Sequence, residues 1–167
     1  MLRPAHAQDA ALIARWLGEP ENTRYLTSNL RENKLTPALI QVGLRRKDQA
    51  WYLFDDEKPA AAPVGLIAVD SIDRVDGVGN LWFLLGETAQ RRRGLTARAI
   101  DAFCRANPLG LEVLIAWAGE PNEASLACLR RAGFREVGRI PNAFAVAGGR
   151  FARIVFERQL RRGAKEP

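Results

Sequence analysis

The residues best arranged for chemistry are Arg91-Arg92-Arg93-Gly94-Leu95-Thr96, a basic run where the apolar stretch NLWFLLG gives way to a helical pattern. A strand that enters a helix through such a loop aims several backbone N–H groups at one spot. The helix dipole and the guanidinium groups then favour an anion there. Gly94 lets the backbone approach a phosphate closely, and the Thr96 hydroxyl adds a donor. The run matches neither GxGxxG nor GxxxxGKS/T, so dinucleotide-fold and P-loop chemistry have no motif behind them. Taken alone it also reads as a solvated arginine turn. A second stretch, PNEASLACLRRAGF from Pro121 to Phe134, places Asn122 where a strand end meets a helix start and closes on Gly133-Phe134. Asn122 as N-cap and Gly133 as left-handed stop explain it structurally. It follows the arginine turn by one helix and one strand, so both helix starts can lie at one edge of a sheet.

The frame that carries these segments is a chain of 167 residues, 47% hydrophobic and 26% charged, long enough for a buried core and ordinary in composition. No repeat or polar linker divides it, which predicts a single domain over 1–160 and a charged tail at 161–167. No apolar run approaches the roughly 18 residues of a membrane span. The opening MLRPAHAQDA lacks an apolar signal core, making the cytoplasm the expected compartment. The net charge of +6 favours an anionic ligand without choosing among nucleic acid, acidic protein and phosphorylated cofactor. Of 25 basic residues 21 are arginine, a bias that genome composition explains as readily as phosphate binding. Cys104 and Cys128 lack CxxC or CxxH spacing and read as buried free thiols. His6 has no metal-ligand spacing around it, and no metal is expected.

Local signals give an α+β order. Leu2 to Ala5 suits a short strand. Asp9 suits an N-cap for a helix carrying Leu12, Ile13, Trp16 and Leu17, stopped by Gly18. Residues 19–34 read as irregular, and Thr36-Pro37 opens a second helix that closes at Gly43. Then come strands AWYLF, VGLIAVDSI and NLWFLLG, a helix from Leu95 to Ala106, strand LEVLIAW, the Asn122 helix, and strands FREVGRI and RFARIVFER around a Gly148-Gly149 turn. The total is about seven strands and about four helices.

In this order the two motifs resemble the GNAT superfamily of acyl-CoA-dependent N-acyltransferases. That family's phosphate loop, Gln/Arg-x-x-Gly-x-Gly/Ala at a strand-to-helix turn, is matched by Arg91 to Thr96, with Thr96 in place of the usual final small residue. Its next helix, Asn-x-x-Ala/Ser ending in Gly-Phe, is matched by Asn122, Ser125, Gly133 and Phe134. The likeness covers about Val64 to Leu160, together with the opening LRPAHAQDAALIARWL. It is closest to the branch of ribosomal-protein N-terminal and small-amine acetyltransferases. The resemblance implies a GNAT-like central mixed, mostly antiparallel sheet in which NLWFLLG and LEVLIAW run parallel and splay apart around a pantetheine arm. Arg91, Arg92, Arg93, Gly94, Leu95 and Thr96 would hold the pyrophosphate of acetyl-CoA, the co-substrate. Backbone N–H groups near Leu84 and Leu85 would meet the pantetheine amide and thioester carbonyl. Asn122 and Ser125 would line the arm, and Trp82 and Trp117 would flank the opening toward the acceptor.

The implied reaction is direct attack on the acetyl thioester by a primary amine of a small molecule or a peptide N-terminus, through a tetrahedral oxyanion and without a covalent enzyme intermediate. An amine largely protonated at neutral pH needs a base or a water chain. NLWFLLG holds no carboxylate. Glu87, the first acid after it, is the preferred base or water-positioning group, ahead of Asp70 and Glu112 at neighbouring strand ends. Many members of the family protonate the departing thiolate from a tyrosine seven positions after the helix-opening Asn. Leu129 stands there, and Tyr25 and Tyr52 lie far upstream, so the role is unfilled or falls to Ser125 and water. Three other readings stay open. One is the same fold using a longer acyl-CoA or an acyl carrier protein, and another is a non-catalytic CoA-binding protein. The third is a basic nucleic-acid-binding module using the arginine turn with Arg130 and Arg131, for which no recognition helix or aromatic RNA-binding signature is present. The acceptor and the oligomeric state, a homodimer included, are left open by the sequence.

Overall fold

The computed structural model describes residues 1–32, 35–58 and 61–160; the tail expected at 161–167 lies outside the described residues. From residue 50 onward, short runs of β-branched, aliphatic and aromatic residues suit a pleated, half-buried surface. Strands β2 (Ala50–Asp55), β3 (Pro63–Asp73), β4 (Val78–Leu85), β5 (Val113–Gly119), β6 (Arg135–Val146) and β7 (Gly149–Gln159) form there, and β1 (Leu2–Pro4) joins them at one edge. They make one seven-stranded sheet of order β1-β2-β3-β4-β5-β7-β6. Every neighbouring pair is antiparallel except β4 and β5, which run parallel. This is the mixed, mostly antiparallel α+β sheet that the sequence implies.

Among the described residues six α-helices flank it: α1 (Ala10–Gly18), α2 (Pro20–Thr23), α3 (Ser28–Glu32), α4 (Pro37–Leu44), α5 (Leu95–Ala106) and α6 (Glu123–Arg131). The two beyond the expected four, α2 and α3, occupy the stretch that reads as irregular. Each is too short to show a 3.6-residue apolar period, so packing rather than pattern makes them helical. The Asp9 side chain does not cap α1. Its two oxygens accept from the Arg3 guanidinium at 2.8 Å each, and one also accepts from the His6 backbone N–H at 2.8 Å, tying β1 to the helix start. Thr36 does cap α4, accepting from the Leu39 N–H at 3.3 Å. The β6–β7 turn centres on Ala147 and Gly148, at φ +49° and +76°, one residue earlier than the glycine pair suggests.

Alternation along the strands divides the core between the two faces of the sheet. Ile67, Val69, Leu81, Leu114, Ala116, Ile154 and Phe156 pack beneath Leu95, Ile100 and Phe103 of α5 and Leu126 and Leu129 of α6. On the opposite face Leu66, Ala68 and Leu84 pack against Ile13, Trp16 and Leu17 of α1 and Ile40 of α4. Each fully buried side chain of this kind contributes about 1.5–3 kcal/mol. At the end of β4 a Cβ on Gly86 would lie 2.1 Å from the Trp16 ring, so only glycine lets α1 approach this closely. Cys104 is buried, Cys128 is half-buried, and both are free thiols.

Candidate functional site

β4 and β5 start side by side, Val78 opposite Val113, and their ladder ends at Leu81 and Ala116 although β4 runs on to Leu85 and β5 to Gly119. Beyond that point the pair opens into a wedge. A cleft of about 1070 Å³ runs through it, with Trp82, Leu84 and Leu85 on one wall and Trp117 on the other. The facing backbone edges there carry N–H and C=O groups outside the ladder. At one end the cleft meets the first turns of α5 and α6. At the other it meets Tyr25, Asp70 and Arg153.

The helix-start end is built from backbone. Gly94 caps α5 in the left-handed region at φ +71°. The first helical hydrogen bond runs from the Arg98 N–H to the Gly94 carbonyl at 3.2 Å, so the N–H groups of Leu95, Thr96 and Ala97 have no helical partner. All three residues line the cleft, as do Gly94, Arg91 and Arg92. Arg91 also pairs with Glu21 at 3.2 Å. Arg93 is not among the lining residues; it pairs with Asp56 at 3.4 Å and bonds the Gln90 side chain. At α6 the Asn122 Oδ1 accepts from the Ser125 N–H at 3.2 Å, the expected cap, and both residues line the cleft. Leu129 is buried in the core, whereas Cys128, one position earlier, faces the cleft. Burial pushes the Cys128 thiol up to about 12, so it stays protonated at neutral pH.

The opposite end is built from side chains that lie far apart in sequence. Asp70 stands opposite Asn80 across β3 and β4. Burial pushes its carboxyl above the ordinary range against the pull of Ser71 and Asn80, and the charge of Asp48 adds to the rise. Trp82 meets Trp51 edge-on, with ring centroids 5.6 Å apart. The Arg153 guanidinium lies 3.8 Å from the centroid of the Trp117 ring, and Phe144 packs on Trp117 at 5.8 Å and on Tyr25 at 6.4 Å. Sequence reasoning singled out neither Arg153 nor Phe144 and set Tyr25 aside. Strand pairing brings Arg153 and Phe144 to the tryptophans, and the connection between α2 and α3 brings Tyr25; spacing marks none of them.

Glu87 is placed elsewhere. It is not among the residues lining the cleft. Its carboxylate accepts from the Trp16 Nε1 at 2.8 Å and from Arg15 at 2.5 Å. The Trp16 bond, the largest influence, holds its carboxyl below the usual range against the opposing effect of burial, and the Arg15 hydrogen bond and charge add to the lowering. The pairing ties α1 to the end of β4 and makes Glu87 a weaker proton acceptor. Among the described residues no group of three or more His, Cys, Asp or Glu side chains is placed to hold a metal ion. No described helix is long and apolar enough to cross a membrane.

Three solved structures show how widely this architecture is shared. The spermidine N-acetyltransferase from Vibrio cholerae in complex with CoA and spermine is similar at a TM-score of 0.83 and 12% identity, over 97% of this chain and 96% of that one. The ribosomal-protein-S5-alanine acetyltransferase from Vibrio fischeri is similar at 0.74 and 16%, over 99% and 94%. A ribosomal L7/L12 α-N-protein acetyltransferase in complex with coenzyme A gives 0.74 and 14%, over 95% and 93%. At these identities the likeness is one of fold. No curated protein matches the chain significantly in sequence. The family model described as an acetyltransferase (GNAT) domain matches residues 1–135, most of the chain and the whole of the wedge and both helix starts, and the chain therefore belongs to the GNAT acetyltransferases.

Proposed function

We propose that residues 1–160 form a single cytoplasmic acetyl-CoA-dependent N-acetyltransferase domain whose acceptor is a primary amine of a small molecule or a peptide N-terminus. The observation that carries this reading is the wedge between β4 and β5, one opening that joins two helix N-termini to a side-chain pocket on the other face of the sheet. Relatives of the same fold bear out the donor and acceptor chemistry in their own cases: one is a complex with CoA and spermine, another a ribosomal-protein alanine acetyltransferase.

In this reading the N–H groups of Leu95, Thr96 and Ala97, with Gly94 giving close access and Arg91 and Arg92 adding charge, hold the pyrophosphate. Arg93, turned toward Asp56, steadies the turn instead. Backbone groups of Leu84 and Leu85 in the open wedge hold the pantetheine arm and orient the thioester carbonyl, and Asn122 and Ser125 flank the arm from α6. Acetyl-CoA supplies an acetyl thioester: the amine nitrogen bonds to the carbonyl carbon, the carbon–sulfur bond breaks, and CoA leaves as its thiol. Asp70 takes the place that the sequence gives to Glu87, because it faces the cleft and burial favours its protonated form. It accepts the ammonium proton directly or through water. Ser125 and the Cys128 thiol are the donors that α6 offers the departing sulfur.

The test is acetyl-CoA-dependent thiol release against peptides, polyamines, amino sugars and amino acids, beside calorimetric titration of acetyl-CoA. Saturable binding with amine-dependent release is expected. Failure to bind acetyl-CoA at millimolar concentration would remove the reading.

A further inference from the structure

Arg153 is set apart by what surrounds it. It points from β7 to the face of the sheet that also carries Trp117, since Gly119 of β5 pairs with Arg153 while Ala152 and Ile154 face the α5 side. Its guanidinium stacks on Trp117 at 3.8 Å and lines the cleft. Burial lowers its affinity for the proton, and its Nε is buried without a hydrogen-bond partner among the described residues. Two of the other three half-buried arginines have carboxylates, Arg3 with Asp9 and Arg158 with Asp101, each at 2.8 Å; the third, Arg31, donates to the Ala145 carbonyl at 2.9 Å, though its Nε too has no partner among the described residues. The acids nearest Arg153 along the sheet are committed to other partners, Glu157 to Arg135 at 2.9 Å and Glu120 to Arg139 at 3.0 Å. A buried guanidinium N–H without an anion or acceptor is costly, and such a group persists where it has another use.

We infer that Arg153 is an anion-binding group of the acceptor site, so that the amine acetylated by this chain carries its own carboxylate. The inference rests on the acetyltransferase reading above and narrows it. Planar guanidinium held against an aromatic ring offers a carboxylate a fork of parallel N–H donors, with little further ordering required on binding. The surrounding charge agrees. Apart from Asp70, the acceptor end contributes Arg24, whose guanidinium lies over Tyr25, while Arg31, over Phe144, adds positive charge on the neighbouring surface outside the cleft. A polyamine would have to place its second ammonium beside the Arg153 and Arg24 guanidinium groups. An amino acid places an anion there. Strand spacing adds a constraint on shape: Asp70 shares a row with Asn80 and Ile115, whereas Arg153 pairs four residues further along β5. At about 3.3 Å per residue that offset is roughly 13 Å between backbones, part of which the Arg153 side chain recovers by folding back onto Trp117. An acceptor with a few bonds between amine and carboxylate spans the gap better than glycine.

The experiment compares amines with their carboxylated counterparts on the unmutated chain: propylamine with γ-aminobutyrate, butylamine with 5-aminovalerate, phenethylamine with phenylalanine, and spermidine as the polycation. The carboxylated member of at least one pair is expected to have kcat/KM about tenfold or more above its partner, and spermidine to be poorer than that acid. Arg153→Gln should erase the preference by raising KM for the acid about tenfold, leaving its kcat, the neutral amine and acetyl-CoA affinity within about twofold; Arg153→Lys should keep part of it. A wild-type preference for spermidine or for the neutral amines overturns the inference, and so does an acid preference that survives Arg153→Gln in a variant that still binds acetyl-CoA. Acetyl-CoA binding without acetylation of any carboxylated probe also overturns it while leaving the broader reading in place. Absence of acetyl-CoA binding by the unmutated chain overturns both.

Discussion

The two ends of the cleft are made by different means. Where α5 begins, the cleft-facing groups are backbone N–H donors of consecutive residues, positioned by one left-handed glycine and the helix start itself. Where Asp70, Trp82, Trp117 and Arg153 meet, the groups are side chains from four strands, with Tyr25 added from the connection between α2 and α3. Backbone donors are indifferent to side-chain identity, so the first end suits the invariant part of a substrate. The second can be changed one residue at a time, so it suits the part that differs between relatives. Breaking the first end should abolish donor binding for every acceptor. Changes at the second should alter rate and preference while acetyl-CoA still binds.

The largest effect is expected at Gly94. At φ +71° a β-branched residue is strained by about 1–2 kcal/mol, and its side chain stands where a phosphate approaches. An added Cβ would otherwise meet only the Arg98 Nη1, at 3.4 Å, so the fold has room for it. Gly94→Val should weaken acetyl-CoA binding about a hundredfold by calorimetry and lower Tm by a few degrees. Gly94→Asn, tolerated in the left-handed region, should lose affinity with little loss of Tm. Unchanged affinity in both variants would remove this turn from the donor site.

Next comes Asp70→Asn, expected to lower kcat/KM about a hundredfold with acetyl-CoA affinity unchanged. The same variant should be more stable at neutral pH. Folding raises the Asp70 pKa, so its contribution to stability is present below the unfolded pKa and is lost as pH rises through the folded one. Above that window the ionised carboxylate is a cost that Asn removes, and the gain in Tm should shrink toward pH 4. A rate within twofold of wild type would leave the amine to lose its proton to water. Asn122→Asp is expected to do less. The Asp oxygen keeps the cap on the Ser125 N–H, so Tm holds, while loss of the amide donor beside the cleft raises the acetyl-CoA KM severalfold. An unchanged KM would make Asn122 a cap only.

The same division explains what the sequence could reveal. Gly94, Asn122, Ser125 and Gly133 act within a few residues of themselves, through caps and left-handed turns, and local spacing is enough to read them. The strands are legible for the same reason, and so is the parallel pairing of β4 and β5 once the family resemblance is seen. Asp70 and Arg153 gain their surroundings from register, Asp70 through Asn80 on β4 and Arg153 through Gly119 on β5, and no short-range pattern marks either. Tyr25 follows a four-residue helix with no period to display. Arg93 and Glu87 differ in the opposite sense: their types and positions suit a site, yet neither lines the cleft, and their side chains pair with Asp56 in one case and with Trp16 and Arg15 in the other, partners 37, 71 and 72 residues away.

Glu87→Gln makes the smallest change and sharpens the comparison most directly, because it removes the acid that linear position favours. The Trp16 Nε1 can still donate to the Gln carbonyl oxygen, and the Arg15 pairing loses only its ionic part. With the Glu87 side chain 37% exposed, solvent screens that loss, and the destabilisation should stay within about 1 kcal/mol. Folding lowers the Glu87 pKa, so its contribution is present above the unfolded pKa and is lost as pH falls through the folded one. The Tm difference between Glu87→Gln and wild type should therefore be visible at pH 7 and vanish in acid, opposite to the trend for Asp70→Asn. Turnover should fall by less than about twofold, and its pH profile should keep its shape for each amine. A hundredfold loss of kcat at preserved Tm and acetyl-CoA affinity would mean that Glu87 reaches the amine through water. The proton would then leave at the end of β4, and Asp70 would be a binding group alone.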